Sequence, residues 1–219
     1  MKKDTVVLFD IDYTLFDTEL FRGKLYKAIS DVLNFSQMEL TKVQQEALDY
    51  VRIEVGYFHP VKFSEFLSSA LGREKEKDSI LKALFQPEIF LDNYYEETEE
   101  ILRVLSQKVT VGIFSKGHTR FQKEKIRKII HLLNNDHIHI TTNKYTRLPK
   151  VLSRYKNKKL YIVDDALGVL HKAKQLRADV FVVWVKRGFY ATKQEPIEGF
   201  VPDAIIGNLS ELLPIVLGK

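Results

Sequence analysis

The sequence contains no cysteine among its 219 residues. This absence excludes disulfide bonds, cysteine-ligated zinc and thiol nucleophiles. The chain also lacks any apolar run close to the roughly 20 residues that a membrane-spanning helix needs. Nothing at the N-terminus resembles a signal peptide, because residues 1–4 lead directly into a short apolar run. We therefore expect a soluble, cytoplasmic protein without a membrane partner.

A long block of one charge sign is also missing, although the formal net charge is +5. The densest charged run, REKEKD at residues 73–78, mixes both signs and predicts a solvated helix start or a loop. A modest positive charge suits phosphorylated substrates as well as nucleic acid. Because the lysines and arginines are dispersed along the chain, the pattern disfavours nucleic acid as a partner.

Short apolar runs alternate with helix-like segments over most of the chain. Strand-like runs occupy residues 5–9, 109–114, 137–141, 160–163, 180–185 and 203–206. Apolar residues recur at helical spacing in residues 94–106, 119–133, 148–155 and 166–176. This alternation predicts an α/β, Rossmann-like fold in which a mostly parallel sheet carries helices on both faces.

Residues 20–91 interrupt this alternation, because they contain amphipathic helical stretches and no convincing strand. The clearest stretches are residues 20–33, 41–55 and 61–71. We therefore expect a core domain of residues 1–18 and 92–219 and an all-helical cap domain of residues 19–91. An insertion after the first strand rises from the carboxyl edge of the sheet, which predicts a lid over that edge.

Polar residues follow the apolar runs at the positions where strands are predicted to end. They are Asp10 and Asp12 after the first run, Ser115, Lys116 and Gly117 at the second, and Asp164 and Asp165 at the fourth. Ligands of open parallel sheets bind beyond this edge. If the first strand stays extended, Asp10 and Asp12 project to the same side, where two carboxylates repel unless a cation or proton intervenes. The sequence therefore predicts a metal-assisted site.

Three short strings resemble motifs of the haloacid dehalogenase (HAD) superfamily, a group of phosphotransfer enzymes. They are DIDYTL at residues 10–15, FSKG at residues 114–117 and VDD at residues 163–165. Each string follows an apolar run, their order matches the family, and the helical insertion is similar to the family's cap. The resemblance covers nearly the whole chain. It implies a HAD-like phosphatase that hydrolyses a small phosphorylated metabolite through an aspartyl-phosphate intermediate.

The resemblance also implies a role for each motif residue. Asp10 is the expected nucleophile, and Asp12 is the expected general acid and base, whose turn Thr14 holds through its hydroxyl. Ser115 and the N–H of Lys116 bind the phosphoryl oxygens, while Gly117 lets the backbone turn closely. Family members that displace halide need no acid at the position of Asp12, which favours phosphate chemistry.

Magnesium is the cofactor that the resemblance implies. Asp10 and Asp164 would bind Mg²⁺ through carboxylate oxygens and Asp12 through its backbone carbonyl, while Asp165 would bind through water or orient Asp164. Family members often carry a further aspartate at the position of Val169. The exact metal shell is therefore open at this point.

The third family motif requires one lysine, and the sequence offers Lys144 and Lys150. Lys144 is preferred, because Leu148, Val151 and Tyr155 follow it at the spacing of a core-facing helix, which is expected to start near Pro149. Lys150 is the alternative.

Two alternative functions remain open. A phosphomutase would use every residue named above, and a non-catalytic basic binding or regulatory protein could keep the same fold. The complete set of polar residues at the strand ends disfavours the second alternative.

Overall fold

The computed structural model describes residues 4–218, apart from the side chains of residues 37, 39, 189 and 190. Its strands are β1 (Thr5–Phe9), β2 (Thr110–Lys116), β3 (Ile138–Thr141), β4 (Lys159–Asp164), β5 (Phe181–Val185) and β6 (Ala204–Ile206). Within these residues they form one sheet in the order β3-β2-β1-β4-β5-β6, and every neighbouring pair is parallel. The predicted parallel α/β sheet is therefore confirmed.

The helices follow in chain order. They are α1 (Thr18–Leu33), α2 (Gln37–Val55), α3 (Pro60–Ala70), α4 (Lys77–Ala83), α5 (Thr98–Lys108), α6 (Thr119–Ile126), α7 (Lys144–Arg154), α8 (Leu167–Leu176), α9 (Gly188–Ala191) and α10 (Leu212–Leu217). No helix among residues 4–218 is both long enough and apolar enough to cross a membrane.

Strand β1 lies in the middle of the sheet and is buried on both faces. Val6 and Leu8 belong to a hydrophobic cluster that includes residues of α7 and α8. On the opposite face, Tyr161 of β4 lies beside Val7 and donates a hydrogen bond of 3.4 Å to the carbonyl of Ile215 in α10. Consecutive apolar residues suit a strand covered on both sides, which explains the unbroken run before Asp10.

Helix α7 differs from its prediction, because it begins at Lys144 and encloses Pro149. The side chain of Asn143 accepts a hydrogen bond from the backbone N–H of Thr146, so Asn143 caps a helix that starts five residues earlier than expected. Proline is favoured in the first turn of a helix, but its presence does not require a helix to start there. The predicted helix over residues 119–133 is also shorter, because α6 ends at Ile126 and a separate 3₁₀ turn covers Ile130–Leu132.

The chain divides into two units. The first contains the residues up to Asp17, Tyr94–Lys116 and the residues from Ile126 onward, and the second contains Thr18–Asn93 and Gly117–Lys125. The second unit thus holds α1 to α4 together with a segment from outside the expected cap range of 19–91. In this unit, the ring centroid of Phe121 lies 4.9–5.6 Å from those of four other phenylalanines, namely Phe21, Phe58, Phe85 and Phe90.

Gly112 in β2 is a position where any side chain is expected to destabilise the fold. A Cβ atom there would lie 2.3 Å from the carbonyl oxygen of His137 and 2.9 Å from a methyl group of Leu8. We expect Gly112→Ala to lower the free energy of unfolding by about 1–3 kcal/mol, the usual cost of overpacking. Urea unfolding measures this change.

Gly23 in α1 provides the matched control, because no atom lies within 4 Å of the Cβ that alanine would add. Gly23→Ala should leave stability unchanged or raise it, since alanine is the better helix former. Equal effects of the two substitutions would contradict the close approach at Gly112.

Candidate active site

The carboxyl ends of three neighbouring strands bring together residues that are far apart in sequence. Asp10 directly follows β1, and its N–H donates a 2.9 Å hydrogen bond to the carbonyl of Val163 in β4. Ser115 lies near the end of β2, and Asp164 is the last residue of β4. All three of these polar side chains are buried. Because β2, β1 and β4 are adjacent, their ends form one polar edge.

Lys144 joins two of these carboxylates from the start of α7. Its Nζ lies 2.8 Å from an oxygen of Asp10 and 2.6 Å from an oxygen of Asp164. Burial disfavours the ammonium charge, but the two carboxylates outweigh it and raise the pKa of Lys144. The alternative residue, Lys150, is exposed. The structure therefore places Lys144, and not Lys150, against the carboxylates.

Three buried carboxylates converge beside Lys144. One oxygen each from Asp10, Asp164 and Asp165 lies within 4.8 Å of the other two, an arrangement that could hold a metal ion. Burial, together with the charges of Asp10 and Asp164, raises the pKa of Asp165. Burial also raises the pKa of Asp164, although Lys144 opposes this change. Because three carboxylates exceed one ammonium group, the donor set matches a divalent cation that prefers oxygen ligands.

The loop that carries Asp164 and Asp165 is fixed by side chains that the sequence interpretation did not identify. The backbone carbonyl of Asp165 accepts hydrogen bonds from the Trp184 indole at 2.9 Å and from the Gln194 amide at 2.7 Å. The Gln194 carbonyl oxygen accepts the N–H of Leu167 at 2.7 Å, at the start of α8. Gln194 therefore holds both ends of this short loop.

The loop after β1 departs from the expected extended backbone. Strand β1 ends at Phe9, and the carbonyl of Ile11 accepts hydrogen bonds from the N–H groups of Thr14, Leu15 and Phe16 at 3.0–3.3 Å. The condition under which Asp10 and Asp12 would share one side, an extended strand through both residues, is therefore not met, because β1 ends before either residue.

Asp12 lies half-buried in this loop. Its negative charge contributes to the raised pKa of Asp165, after burial and the charges of Asp10 and Asp164, so the two carboxylates interact. The carboxylate of Asp12 is not part of the three-residue cluster that could hold a metal among residues 4–218. The expected role of Thr14 is contradicted, since its buried hydroxyl has no hydrogen-bond partner within these residues. The Ile11 carbonyl holds the turn instead.

The remaining candidates occupy different surroundings. Lys116 ends β2 with its side chain at the surface, where nearby protein still removes part of the water around its ammonium group; this desolvation and the charge of Lys144 lower its pKa. Gly117 belongs to the second unit, where a Cβ atom would lie 2.8 Å from Gln122 Cγ. Val169 stands where family members often carry a further aspartate. It packs in the hydrophobic cluster of the first unit, so this position supplies no carboxylate to the site.

The polar segment after β5 also belongs to this edge of the sheet. It includes Arg187, which forms an ion pair with Glu97 and donates a hydrogen bond to the carbonyl of Thr14. The rule that identified Asp10, Ser115 and Asp164, a polar residue at a strand end, also applies to Arg187. Applied to the fifth predicted strand, this rule is the sequence signal that points to Arg187.

Comparisons with known proteins show the fold. No protein-family model and no curated protein matches the chain. The solved structure of a haloacid dehalogenase-like hydrolase from Burkholderia xenovorans LB400 has a TM-score of 0.79 and 22% identity, over 96% of this chain and 98% of that chain. This chain has the haloacid dehalogenase-like fold.

Other solved structures with the haloacid dehalogenase-like fold extend the comparison. A HAD-hydrolase from Bacillus subtilis bound to magnesium has a TM-score of 0.64 and 15% identity, over 98% of this chain and 99% of that chain. An L-2-haloacid dehalogenase from Xanthobacter autotrophicus with covalently bound chloropropionic acid has a TM-score of 0.61 and 16% identity, over 100% of both chains. Solved structures with this fold therefore include one with bound magnesium and one with a covalently bound acid.

The buried ion pairs of Lys144 are expected to dominate the stability of this edge. In Lys144→Met, Asp10 and Asp164 lose their buried cation, so we expect the free energy of unfolding to fall by about 3–5 kcal/mol. Urea unfolding in the presence of EDTA measures this loss. Lys150→Met, on the exposed side of the same helix, should change stability by less than about 0.5 kcal/mol. Similar losses in both variants would contradict this assignment.

Proposed function

We propose that this protein is a magnesium-dependent phosphohydrolase that acts on a small phosphorylated metabolite through an aspartyl-phosphate intermediate on Asp10. The observation that carries the proposal is the buried cluster of Asp10, Asp164 and Asp165 around Lys144. Three carboxylates and one ammonium group leave an excess of negative charge in a buried place, and a bound divalent cation would balance it.

Asp10, Asp164 and Asp165 are the residues that would hold the ion. Bound there, magnesium supplies positive charge that reduces the repulsion between a phosphate group and the Asp10 carboxylate. Lys144 adds a second positive charge, 2.8 Å from Asp10. One Asp10 oxygen is therefore held by the ammonium group, and the other is our candidate nucleophile.

Asp10 and Asp12 divide the covalent steps between them. A carboxylate oxygen of Asp10 forms a bond to phosphorus while the bond to the ester oxygen breaks, and Asp12 donates its proton to that leaving oxygen. Asp12 then accepts a proton from a water molecule, whose oxygen attacks phosphorus and releases Asp10 and inorganic phosphate. Ser115 and the backbone N–H of Lys116 donate hydrogen bonds to the phosphoryl oxygens.

A haloacid dehalogenase activity is the main alternative, because one structural neighbour carries covalently bound chloropropionic acid. Nucleophilic attack by a carboxylate would be common to both reactions. A halide ion leaves without a proton, so a dehalogenase has no use for the acid that Asp12 provides. Dehalogenation likewise gives no reason to bury three carboxylates together. Both features favour phosphate chemistry.

The decisive assay offers the protein two kinds of substrate. We expect release of phosphate from p-nitrophenyl phosphate and from a panel of metabolite phosphates in the presence of Mg²⁺, and no release with EDTA. Asp10→Asn should reduce the activity to background, since an amide is a poor nucleophile. The exposed Asp31, on α1, provides the matched control, and Asp31→Asn should retain full activity.

Two results would decide against a phosphohydrolase. The first is chloride release from 2-chloropropionate, independent of Mg²⁺, with no hydrolysis of any phosphate ester. The second is transfer of the phosphoryl group to a sugar hydroxyl at a rate well above hydrolysis, which identifies a phosphomutase. Salt-dependent binding of nucleic acid with no turnover at all would favour the non-catalytic alternative.

Gln194 offers a separate test of the metal site. Gln194→Leu removes a hydrogen bond to the Asp165 carbonyl and one from Leu167. Because residues that orient metal ligands typically contribute 10–100-fold to affinity, we expect Mn²⁺ to bind roughly tenfold more weakly. Calorimetric titration measures this binding without a substrate.

Gln175→Leu, at an exposed position of α8, is the control for Gln194→Leu and should bind Mn²⁺ like the wild type. Equal Mn²⁺ affinity in all three proteins would contradict the role of Gln194 in orienting the proposed site, and no Mn²⁺ binding by the wild type would contradict the site itself.

A further inference from the structure

Arg187 connects the segment after β5 to the loop that carries Asp12. Its side chain is only 11% exposed, and its Nη1 lies 2.5 Å from a carboxylate oxygen of Glu97. Its Nη2 donates a hydrogen bond to the backbone carbonyl of Thr14, two residues after Asp12. The guanidinium group also stacks over the Tyr95 ring, 3.6 Å from the ring centroid. Arg187 is therefore held on three sides.

The partners of Arg187 are themselves fixed. The same oxygen of Glu97 accepts the N–H of Leu209 at 3.1 Å. The carbonyl of Leu15, next to Thr14, accepts the Thr98 hydroxyl at 3.0 Å and the Tyr95 N–H at 3.3 Å. The end of the Asp12 loop is thus hydrogen-bonded to the start of α5 through Leu15, and Arg187 adds a hydrogen bond at Thr14.

Gly188 makes a second approach to the same loop. A Cβ atom at Gly188 would lie 2.7 Å from Cδ1 of Tyr13, and the φ angle of Gly188 is +71°. Tyr13 follows Asp12 directly and itself has a φ angle of +55°, a conformation that few residues other than glycine adopt. Arg187 therefore contacts Thr14, and Gly188 lies close to Tyr13, so both residues that follow Asp12 lie against the segment after β5.

We propose that Arg187 is a positioning residue that holds the Asp12 loop in the conformation needed for proton transfer to the leaving oxygen. The proposal rests on the phosphohydrolase function, because it assigns Arg187 to one step of that reaction. Arg187 acts through the backbone of Thr14 and takes no part in bond making. Its removal should therefore impair the acid and spare the nucleophile.

This assignment predicts a dependence on the leaving group. p-Nitrophenolate is stable as an anion and leaves with little help from an acid, whereas the alkoxide of an alkyl phosphate needs a proton. A loop that misplaces Asp12 should slow aspartyl-phosphate formation from alkyl phosphates far more than from p-nitrophenyl phosphate, while the later hydrolysis step is the same for both esters. A general loss of folded protein would reduce the hydrolysis of both esters equally.

The experiment compares Arg187→Ala, Arg187→Lys and the control Arg103→Ala, which removes an exposed arginine of α5. General acids typically contribute 10²–10⁴-fold, so we expect Arg187→Ala to lower kcat/KM for glycerol phosphate, which reports the steps up to departure of the leaving oxygen, by roughly 10–100-fold. The loss on p-nitrophenyl phosphate should stay below about threefold. Arg187→Lys keeps a charged hydrogen-bond donor and should therefore recover part of the loss. This recovery separates a lost hydrogen bond from misfolding of the Arg187→Ala variant.

Hydrogen exchange of the backbone provides a readout that is independent of turnover. The N–H groups of residues 13–16 are hydrogen-bonded within the loop, so their slow exchange reports on its integrity. We expect faster exchange at these residues in Arg187→Ala, an intermediate rate in Arg187→Lys and wild-type exchange in Arg103→Ala.

Each outcome has a separate meaning. Unchanged exchange in Arg187→Ala overturns the inference, and so do equal losses of kcat/KM on both esters. If the wild-type protein hydrolyses no ester of the metabolite-phosphate panel, the phosphohydrolase proposal fails, and with it the link to proton transfer. The exchange data then decide alone whether Arg187 holds the loop.

Discussion

The buried ion pairs of Lys144 with Asp10 and Asp164 are the interactions on which the polar edge of the sheet depends. Isolated carboxylates are rarely buried, because removing them from water costs several kcal/mol per charge. Here Lys144 lies 2.8 Å from one carboxylate and 2.6 Å from the other. The lysine comes from α7, while the carboxylates follow β1 and end β4, so the edge forms only when the parallel sheet has been assembled. Assembly of the sheet and compensation of the buried negative charge therefore both depend on the side chain of Lys144.

Lys144 alone does not explain how Asp165 is buried as well. The backbone around the two consecutive aspartates is held at several points, since Asp164 accepts the N–H of Ala166 at 3.0 Å and the Asp165 carbonyl accepts two side-chain donors. These bonds fix where the carboxylates lie, but they do not neutralise them. The raised pKa of Asp165 reflects this incomplete compensation. A divalent cation among oxygen ligands is the simplest group that would complete it.

The sequence predicts the sheet and part of this edge well, because both follow from local patterns. Buried strands read as apolar runs, and the strand-end rule located Asp10, Ser115 and Asp164. Local patterns failed where a distant contact decides the outcome. Asn143 and not Pro149 sets the start of α7, and Phe121 packs with phenylalanines some 30 to 100 residues earlier in the chain. Arg187 and Gln194 donate hydrogen bonds to the backbone carbonyls of Thr14 and Asp165. Every residue has such a carbonyl, so the sequence does not indicate which residue accepts the bond.

The position of β5 explains why an arginine, Arg187, stands two residues beyond its last residue. Strand β4 separates β5 from β1, and with about 4.8 Å between neighbours the two strands lie roughly 10 Å apart. Only a long side chain crosses that distance to reach the loop after β1. Lysine is long enough as well, but its ammonium group is a point charge, whereas the arginine fork presents separate N–H groups in fixed directions. Nη1 bonds to Glu97 and Nη2 to Thr14, so the two ends of the fork join the start of α5 to the Asp12 loop. The loop conformation therefore depends on a strand that contributes no carboxylate to the site.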